Sequence, residues 1–563
     1  MSSDRSGRIH ARARTRARLG AAVLAVAVGF VVPGRASGPR FYPDDPIMAD
    51  LDSAFDARDV KKIELSKNYD FLENTLGRPG TREPARATNV NTLDEVPDSS
   101  WFTNRIGRRP MSIAEIVRGP DRFTRLEVDA WMIVEGKGPG TFQPGFRATD
   151  ARHPGEVYQL EVDPPGNPEM ATGAEVIGTA FYHAFGYNTV ETYLLCVDPA
   201  NIAIAPDATI QDASGQRRFV RADLDAILRL GARTARGCYR MSVQPRFHNR
   251  IGRFKYYGTR PDDPNDIYPH EDRRELRANR VFAAWLNHDD SRAENTLDVL
   301  QEANDKKFVK HYMYDFGSIL GSATRFPDSL RSGHEYFVEP KPNVISLLSL
   351  GFYVPPWLRI DYPSRLPAAA GRIEGDAFEP EQWKPEYPNA AFSNLQPGDA
   401  FWGARIVSKF SNAAIEAIVD KAQFTDPAAA GYLTSVLVTR RDKIARTWLT
   451  RINPLLNFSL SNDGALTFEN AAVSARVASP AASYTVSWSR FDNSGDRHVA
   501  VGSEVMVSEP QARAPRDLLT GSEFIAVTVR GQHPDYAAWA KPIRAYFRRT
   551  QKEWTTVGLE RLN

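Results

Sequence analysis

Apolar residues first take up a regular spacing at Leu126. "LEVDAWMIVEGKGPG", "GFRATDARHPG" and "EVYQLEVDPP" alternate and are parted by Gly and Pro, which predicts three short strands. The period then lengthens. Met170, Ala174, Ile177, Phe181 and Ala184 recur at spacings of four and three, one apolar face of a helix. Asn167 is placed to cap that helix, Pro168 suits its first turn, and Gly186 can end it. "NTVETYLLCVD" and "GCYRMSV" read as further strands, and Arg273 to Asn287 as a helix carrying Leu276, Val281, Phe282 and Trp285. More helices are predicted in "DAFWGARIVSKFSNAAIEAIVDKA" and "AAAGYLTSVLVTRRDKIARTWLTRI". After Pro454 the alternation returns in "YTVSWSRFD" and "SEFIAVTVRG", the texture of a small sandwich.

Upstream of Leu126 the pattern is weaker. Leu51 to Leu76 can make one or two helices, and "GRPGTREPARATNVNTLDEVPDSSW" reads as an irregular linker. The first residues differ again: an Arg-rich start, an apolar run from Leu19 to Val32, then small residues at Ala36 and Gly38. That order is a secretory signal peptide, with an uncleaved anchor as its alternative. Its apolar run is shorter than the roughly 20 residues of a membrane span. There is no twin-arginine pair, which favours ordinary unfolded export. No span is expected after cleavage, and a periplasmic or secreted protein follows.

Charge confirms that this segment stands apart. Removing residues 1–38 takes away seven Arg and one Asp and moves the formal charge from +2 to −4. No basic stripe with interleaved aromatics remains, so nucleic acid is not an expected partner. Cys196 and Cys238 are the two cysteines; an exported chain can bridge them, or both can be buried thiols.

The chemistry is concentrated in "WLNHDDSRAENTLDVLQEANDKKFVKHYMYDFGSILGS". His288-Asp289-Asp290 is followed by Asn295, then by a predicted hairpin, then by Asp315-Phe316-Gly317. Phosphoryl transfer needs a carboxylate to orient the attacking hydroxyl, and an amide plus a second carboxylate to hold Mg²⁺ against the phosphates. The layout resembles the protein-kinase-like superfamily, and its atypical spore-coat and secretory-pathway members in particular. The resemblance implies that Asp290 is the catalytic base and that Asn295 and Asp315 are metal ligands. It also implies that Phe316 packs beneath the site and that Gly317 permits the turn.

By the same resemblance, "EGKGPGTFQPG" is the phosphate-covering turn, with Lys137, Gly138 and Gly140, and Glu175 is the carboxylate of the next helix. The third strand departs from the family: Glu161 stands where its Lys would be. Two such carboxylates about 4 Å apart repel by around 4 kcal/mol at an effective dielectric of 20. Lys137 is the substitute within reach. Asp289 replaces the Arg that reads a phosphorylated activation loop, and no Ala-Pro-Glu follows Asp315-Phe316-Gly317.

The fold class expected is α+β: a two-lobed, protein-kinase-like fold. The segments are a signal peptide (1–38), an N-terminal extension (39–125), a β-rich N-lobe (126–230), a helical C-lobe (231–453) and a β-sandwich-like module (454–563). The function expected is that of an exported, atypical kinase-like protein. It is either a phosphotransferase using Mg and ATP on an unknown acceptor or a nucleotide-binding pseudokinase. A non-catalytic extracytoplasmic binding protein is the alternative. A metal-dependent phosphohydrolase is a lesser one, since His270, His288, Asp289 and Asp315 fall in the order used by the histidine-aspartate hydrolases.

Overall fold

The three alternating runs form β1 (Trp131–Gly136), β2 (Gly145–Asp150) and β3 (Val157–Val162), an antiparallel meander. Ile133, Phe146, Ala148 and Leu160 are buried on one face, as alternation requires. The computed structural model describes residues 38–50, 52–137, 143–212, 215–350, 352–363 and 365–562. The expected signal peptide up to residue 37, and Gly138 and Gly140, lie outside the described residues.

Five further strands follow: β4 (Asn188–Thr189), β5 (Tyr193–Val197), β6 (Ile202–Asp212), β7 (Gly215–Arg218) and β8 (Tyr239–Pro245). The first sheet has the order β5-β8-β3-β2-β1-β6-β7. Then come β9 (Arg250–Gly252), β10 (Thr296–Ala303) and β11 (Lys306–Met313), which with β4 make a second sheet, β4-β11-β10-β9. The chain is thus a mixed α/β structure with several sheets.

Helix α1 (Met170–Phe185) joins the two sheets and ends, as expected, at Gly186 with φ 135°. Its cap is not Asn167, whose amide donates to the Ala368 carbonyl at 3.2 Å. Asp163 does that work from the end of β3, accepting from the Thr172 N–H at 2.9 Å and from the Thr172 hydroxyl at 2.5 Å. A carboxylate there also complements the helix dipole.

Helix α2 (Arg274–Leu286) ends at Asn287, which takes the left-handed conformation (φ 51°). It lies among α3 (Pro397–Val407), α4 (Asn412–Asp420) and α5 (Pro427–Leu449), with the Trp285 indole donating to the Leu437 carbonyl at 2.8 Å. Two C-terminal sheets follow, one of three strands (455–460, 465–470, 511–513) and one of five (483–492, 497–507, 524–532, 543–549, 554–561). A single apolar core runs from α1 through α5 into these sheets, joining Phe181, Leu449, Leu455 and Ile525; the first sheet has its own core.

The described residues of 38–125 hold two short helices, Lys67–Leu72 within the expected stretch and Ile113–Arg118 beyond it. Among the described residues of 51–76, regular structure begins at Lys67 and runs as one helix into a wider turn, Glu73–Gly77. The preceding residues instead lay their backbone along other strands: the Ala57 N–H donates to Lys307 and the Ile63 N–H to Ile251, both at 2.8 Å. Further on, Trp101 and Phe102 are buried in the main core.

Cys196 on β5 and Cys238, just before the neighbouring β8, form a disulfide with Cα atoms 5.6 Å apart. Among the described residues no helix is long and apolar enough to cross a membrane.

Candidate functional site

The β10–β11 hairpin pairs Thr296 with Met313 and so returns the chain to where it left: the Tyr314 N–H donates to the Asn295 carbonyl at 3.0 Å. Asp315 therefore stands beside Asn295. The sharp turn falls on Asp315 itself, at φ 64°, and not on Gly317, which has no left-handed φ. Phe316 is buried and stacks on Tyr182 of α1, ring centres 4.6 Å apart. Gly178 makes room for it: a Cβ there would lie 2.5 Å from the Phe316 Cβ.

The loop after α2 supplies the opposing wall. The Asn295 amide donates to the Asp290 carbonyl at 2.9 Å, which ties the two ends of the loop together. Arg292 Nε lies 2.6 Å from one oxygen of the Asp290 carboxylate, and the Ser318 hydroxyl donates to the other at 3.3 Å. Burial raises the Asp290 pKa, and Arg292 opposes that shift. Arg292 is shared with Glu386, whose carboxyl is pushed up to about 8 by burial and by Asp290.

Asp289 and His288 are occupied elsewhere. Asp289 is buried, accepts from the Ser332 hydroxyl, and has a raised pKa through burial and Asp328. His288 Nδ1 lies 2.8 Å from the Tyr182 hydroxyl, and burial lowers its pKa to about 3, leaving a neutral ring.

Three more groups close the cleft from the first sheet and α1. Lys137, at the end of β1, makes an ion pair with Glu161 on β3; their side chains are 14% and 11% exposed. The Gln159 amide also donates to Glu161, at 2.9 Å. Glu175 is buried in α1 and accepts from the Gln244 amide at 2.6 Å. Burial first, then the charges of Asp315 and Glu161, raise its pKa well above the ordinary carboxylate value. Lys137 offsets the expected Glu161–Glu175 repulsion at one residue, and the raised pKa of Glu175 favours its neutral form at the other. Asp315 opens toward the cleft; enclosure by protein, then Glu161 and Asp290, push it up to about 6.

The structure therefore brings together Lys137, Glu161, Glu175, Asp290, Asn295 and Asp315. Arg292, Glu386 and Gln244 were missed by sequence reasoning. Arg292 was within sight, two residues after Asp290, whereas Glu386 and Gln244 carry no local signal.

Among the described residues, no group of three or more His, Cys, Asp or Glu side chains is gathered to hold a metal ion. The histidine-aspartate set does not assemble: His270 is turned to Asp266 at 2.7 Å and to the Lys255 carbonyl, and His288 to Tyr182. The oxygens of Asp315 and Asn295 do suit Mg²⁺, which binds through one or two carboxylates and otherwise keeps water and phosphate oxygens.

Behind Tyr314, the space among Gln159, Gln244, Arg246 and Leu297 amounts to about 10 Å³.

No protein-family model matches the chain, and no curated protein matches it. Among solved structures, the chain is similar to the Helicobacter pylori proinflammatory kinase CtkA, with 12% identity and a TM-score of 0.27. The match covers 54% of this chain and 93% of that one. A likeness of that size leaves the functional argument to the geometry of the cleft.

Proposed function

We propose that this chain is an exported, atypical kinase-like protein. In this reading Lys137, supplied by the turn, replaces the strand lysine, and Glu161 holds that lysine when no phosphate is present. The Lys137–Glu161 pair, facing Asp290, Asn295 and Asp315, is the observation that carries the reading. The first sheet, which runs on to β8 and so carries the β-rich lobe past residue 230, and the helices up to residue 453 act as its two lobes, with α1 and the β10–β11 hairpin meeting at the cleft. The two sheets of residues 454–563 form the sandwich-like module. Mg²⁺, held by Asp315 and Asn295, would neutralise phosphate charge. Asp290 would orient the acceptor hydroxyl, and Arg292, 2.6 Å away, opposes the upward shift that burial gives the Asp290 carboxyl.

A nucleotide must compete with Glu161 for Lys137 and enter a cleft with several carboxylates, so binding by the native chain is weak. Titrating ATP with and without Mg²⁺ tests this: weak, Mg²⁺-dependent binding is expected, and tight binding shows that Glu161 holds nothing back. Export rests on the order of residues 1–38, and a disulfide suits an oxidising compartment. N-terminal sequencing of the mature protein should find a cut near Ala36 or Gly38; an intact Met1 on cytoplasmic protein removes that part of the reading.

A second reading, a non-catalytic extracytoplasmic binding protein, is favoured by Glu161 standing where the family's lysine would be. It predicts no nucleotide binding at any Mg²⁺ concentration.

A further inference from the structure

A larger recess of about 790 Å³ lies outside the acidic cleft, among β2, the segment after β8 and residues 62–67. Six lysine or arginine side chains line it against two glutamates, Glu64 and Glu294. Most of these cations share an acid. Arg147 and Arg246 both pair with Glu135; Arg253 and Lys67 both approach Glu294; Lys62 pairs with Glu64. Arg250 is the exception. Its guanidinium lies 5.8 Å from the centre of the Tyr314 ring, and among the described residues no carboxylate stands within ion-pair distance of it. Burial presses most against its protonated form, Tyr314 favours that form, and the like charges of Arg246, Arg253 and Arg147 oppose it.

A half-buried arginine with no carboxylate partner, beside three other arginines, leaves its fork open to an entering anion. The guanidinium fork matches phosphate oxygens two at a time, and several forks around one space favour a ligand with more than one phosphate. We propose that this recess is a binding site for a small molecule carrying two or more phosphate groups.

The recess adjoins the candidate cleft. Glu294 stands between Lys67 and Arg292 (3.7 and 3.6 Å), and the charge of Lys67 reaches Asp290. Where the kinase-like reading holds, the bound molecule sits on the acceptor side of Asp290. That assignment rests on the reading; binding itself does not.

Calorimetric titration of the full chain with tripolyphosphate, without nucleotide or Mg²⁺, tests the site. Binding is expected, weaker at higher salt because screening weakens exposed charges. Arg250→Gln should weaken it at least about tenfold, and Arg250→Lys, which keeps charge but loses the fork, should fall between. Arg217→Gln, on β7 and outside the recess, should change nothing, and circular dichroism of each variant checks folding. Vesicles containing an anionic phospholipid distinguish the source: co-sedimentation that Arg250→Gln abolishes marks a lipid headgroup, and its absence beside tripolyphosphate binding marks a soluble ligand. No tripolyphosphate binding at low salt, or equal binding by a folded Arg250→Gln, overturns the proposal. Tripolyphosphate binding with no Mg²⁺-dependent ATP binding removes the kinase reading and leaves this site standing.

Discussion

Lys137, just after β1, closes on Glu161 of β3, and both side chains are largely out of water. The polarity of the pair is the reverse of the strand lysine and helix glutamate that the kinase resemblance implies. Glu175 of α1 accepts from Gln244, and burial, Asp315 and Glu161 raise its pKa.

Removing one member of that pair strands the other. Lys137→Ala leaves Glu161 facing Glu175 and Asp315 and should cost about 3–5 kcal/mol, as for other broken buried pairs. The double variant Lys137→Ala/Glu161→Gln should recover most of the loss. Denaturant unfolding of the four chains gives the coupling directly; a single-variant cost below about 0.5 kcal/mol would mean that solvent screens the pair.

Glu161→Gln should act on ligand binding in the opposite sense. It frees Lys137 and removes a negative charge from the cleft, so Mg²⁺-dependent ATP affinity should rise about tenfold, or about 1.4 kcal/mol. Lys137→Ala should abolish the binding that remains. Identical titrations for all three chains would show that Lys137 touches no phosphate.

Asp315 sets a pH signature. Its folded pKa, about 6, lies above its ordinary value of 3.8. The stability it contributes is therefore fully present below the ordinary value and lost as pH rises through about 6. Mg²⁺-dependent nucleotide binding should run the other way and strengthen as Asp315 ionises. Melting temperatures across this window should fall more with rising pH in the native chain than in Asp315→Asn. Parallel profiles would mean that Asp315 titrates normally.

Asp290→Asn should leave Mg²⁺-dependent nucleotide affinity nearly unchanged while stopping any transfer, because a base acts in the chemical step. Single-turnover transfer measured beside equilibrium binding separates the two effects. Full transfer by a folded variant would remove Asp290 from the role of base.

Gly178 and Phe316 offer a test through packing. Gly178→Ala places a methyl 2.5 Å from the Phe316 Cβ and should cost about 1–3 kcal/mol by overpacking. A neutral effect on thermal unfolding would show that Phe316 moves aside freely.

The disulfide closes a separation of 42 residues, so Cys196→Ser should cost about 4 kcal/mol on the chain-entropy scale. Thiol titration of the native protein in denaturant should find no free thiol; two would mean that the bridge does not form.

Much of this was legible along the chain because it is local. Alternation placed β1, β2 and β3, the four-and-three spacing placed α1, and Gly186 ended it. The order Asp290, Asn295, Asp315 implied one cleft because a hairpin returns its ends to the same place, whatever surrounds them. The cap of α1 was not legible: Asn167 had the right type and position, but the turn after β3 brings Asp163 to the free N–H groups first. Nor was the electrostatic balance of the cleft. Lys137 and Glu161 lie 24 positions apart, Glu386 lies far from Arg292 in sequence, and Glu175 reads like any surface glutamate of a helix. Whether such a group is paired, protonated or exposed depends on distance through space and on the water removed around it. Periodicity carries neither quantity, so the sequence supplied the groups and only the packing of α1 against the two sheets decided their charges.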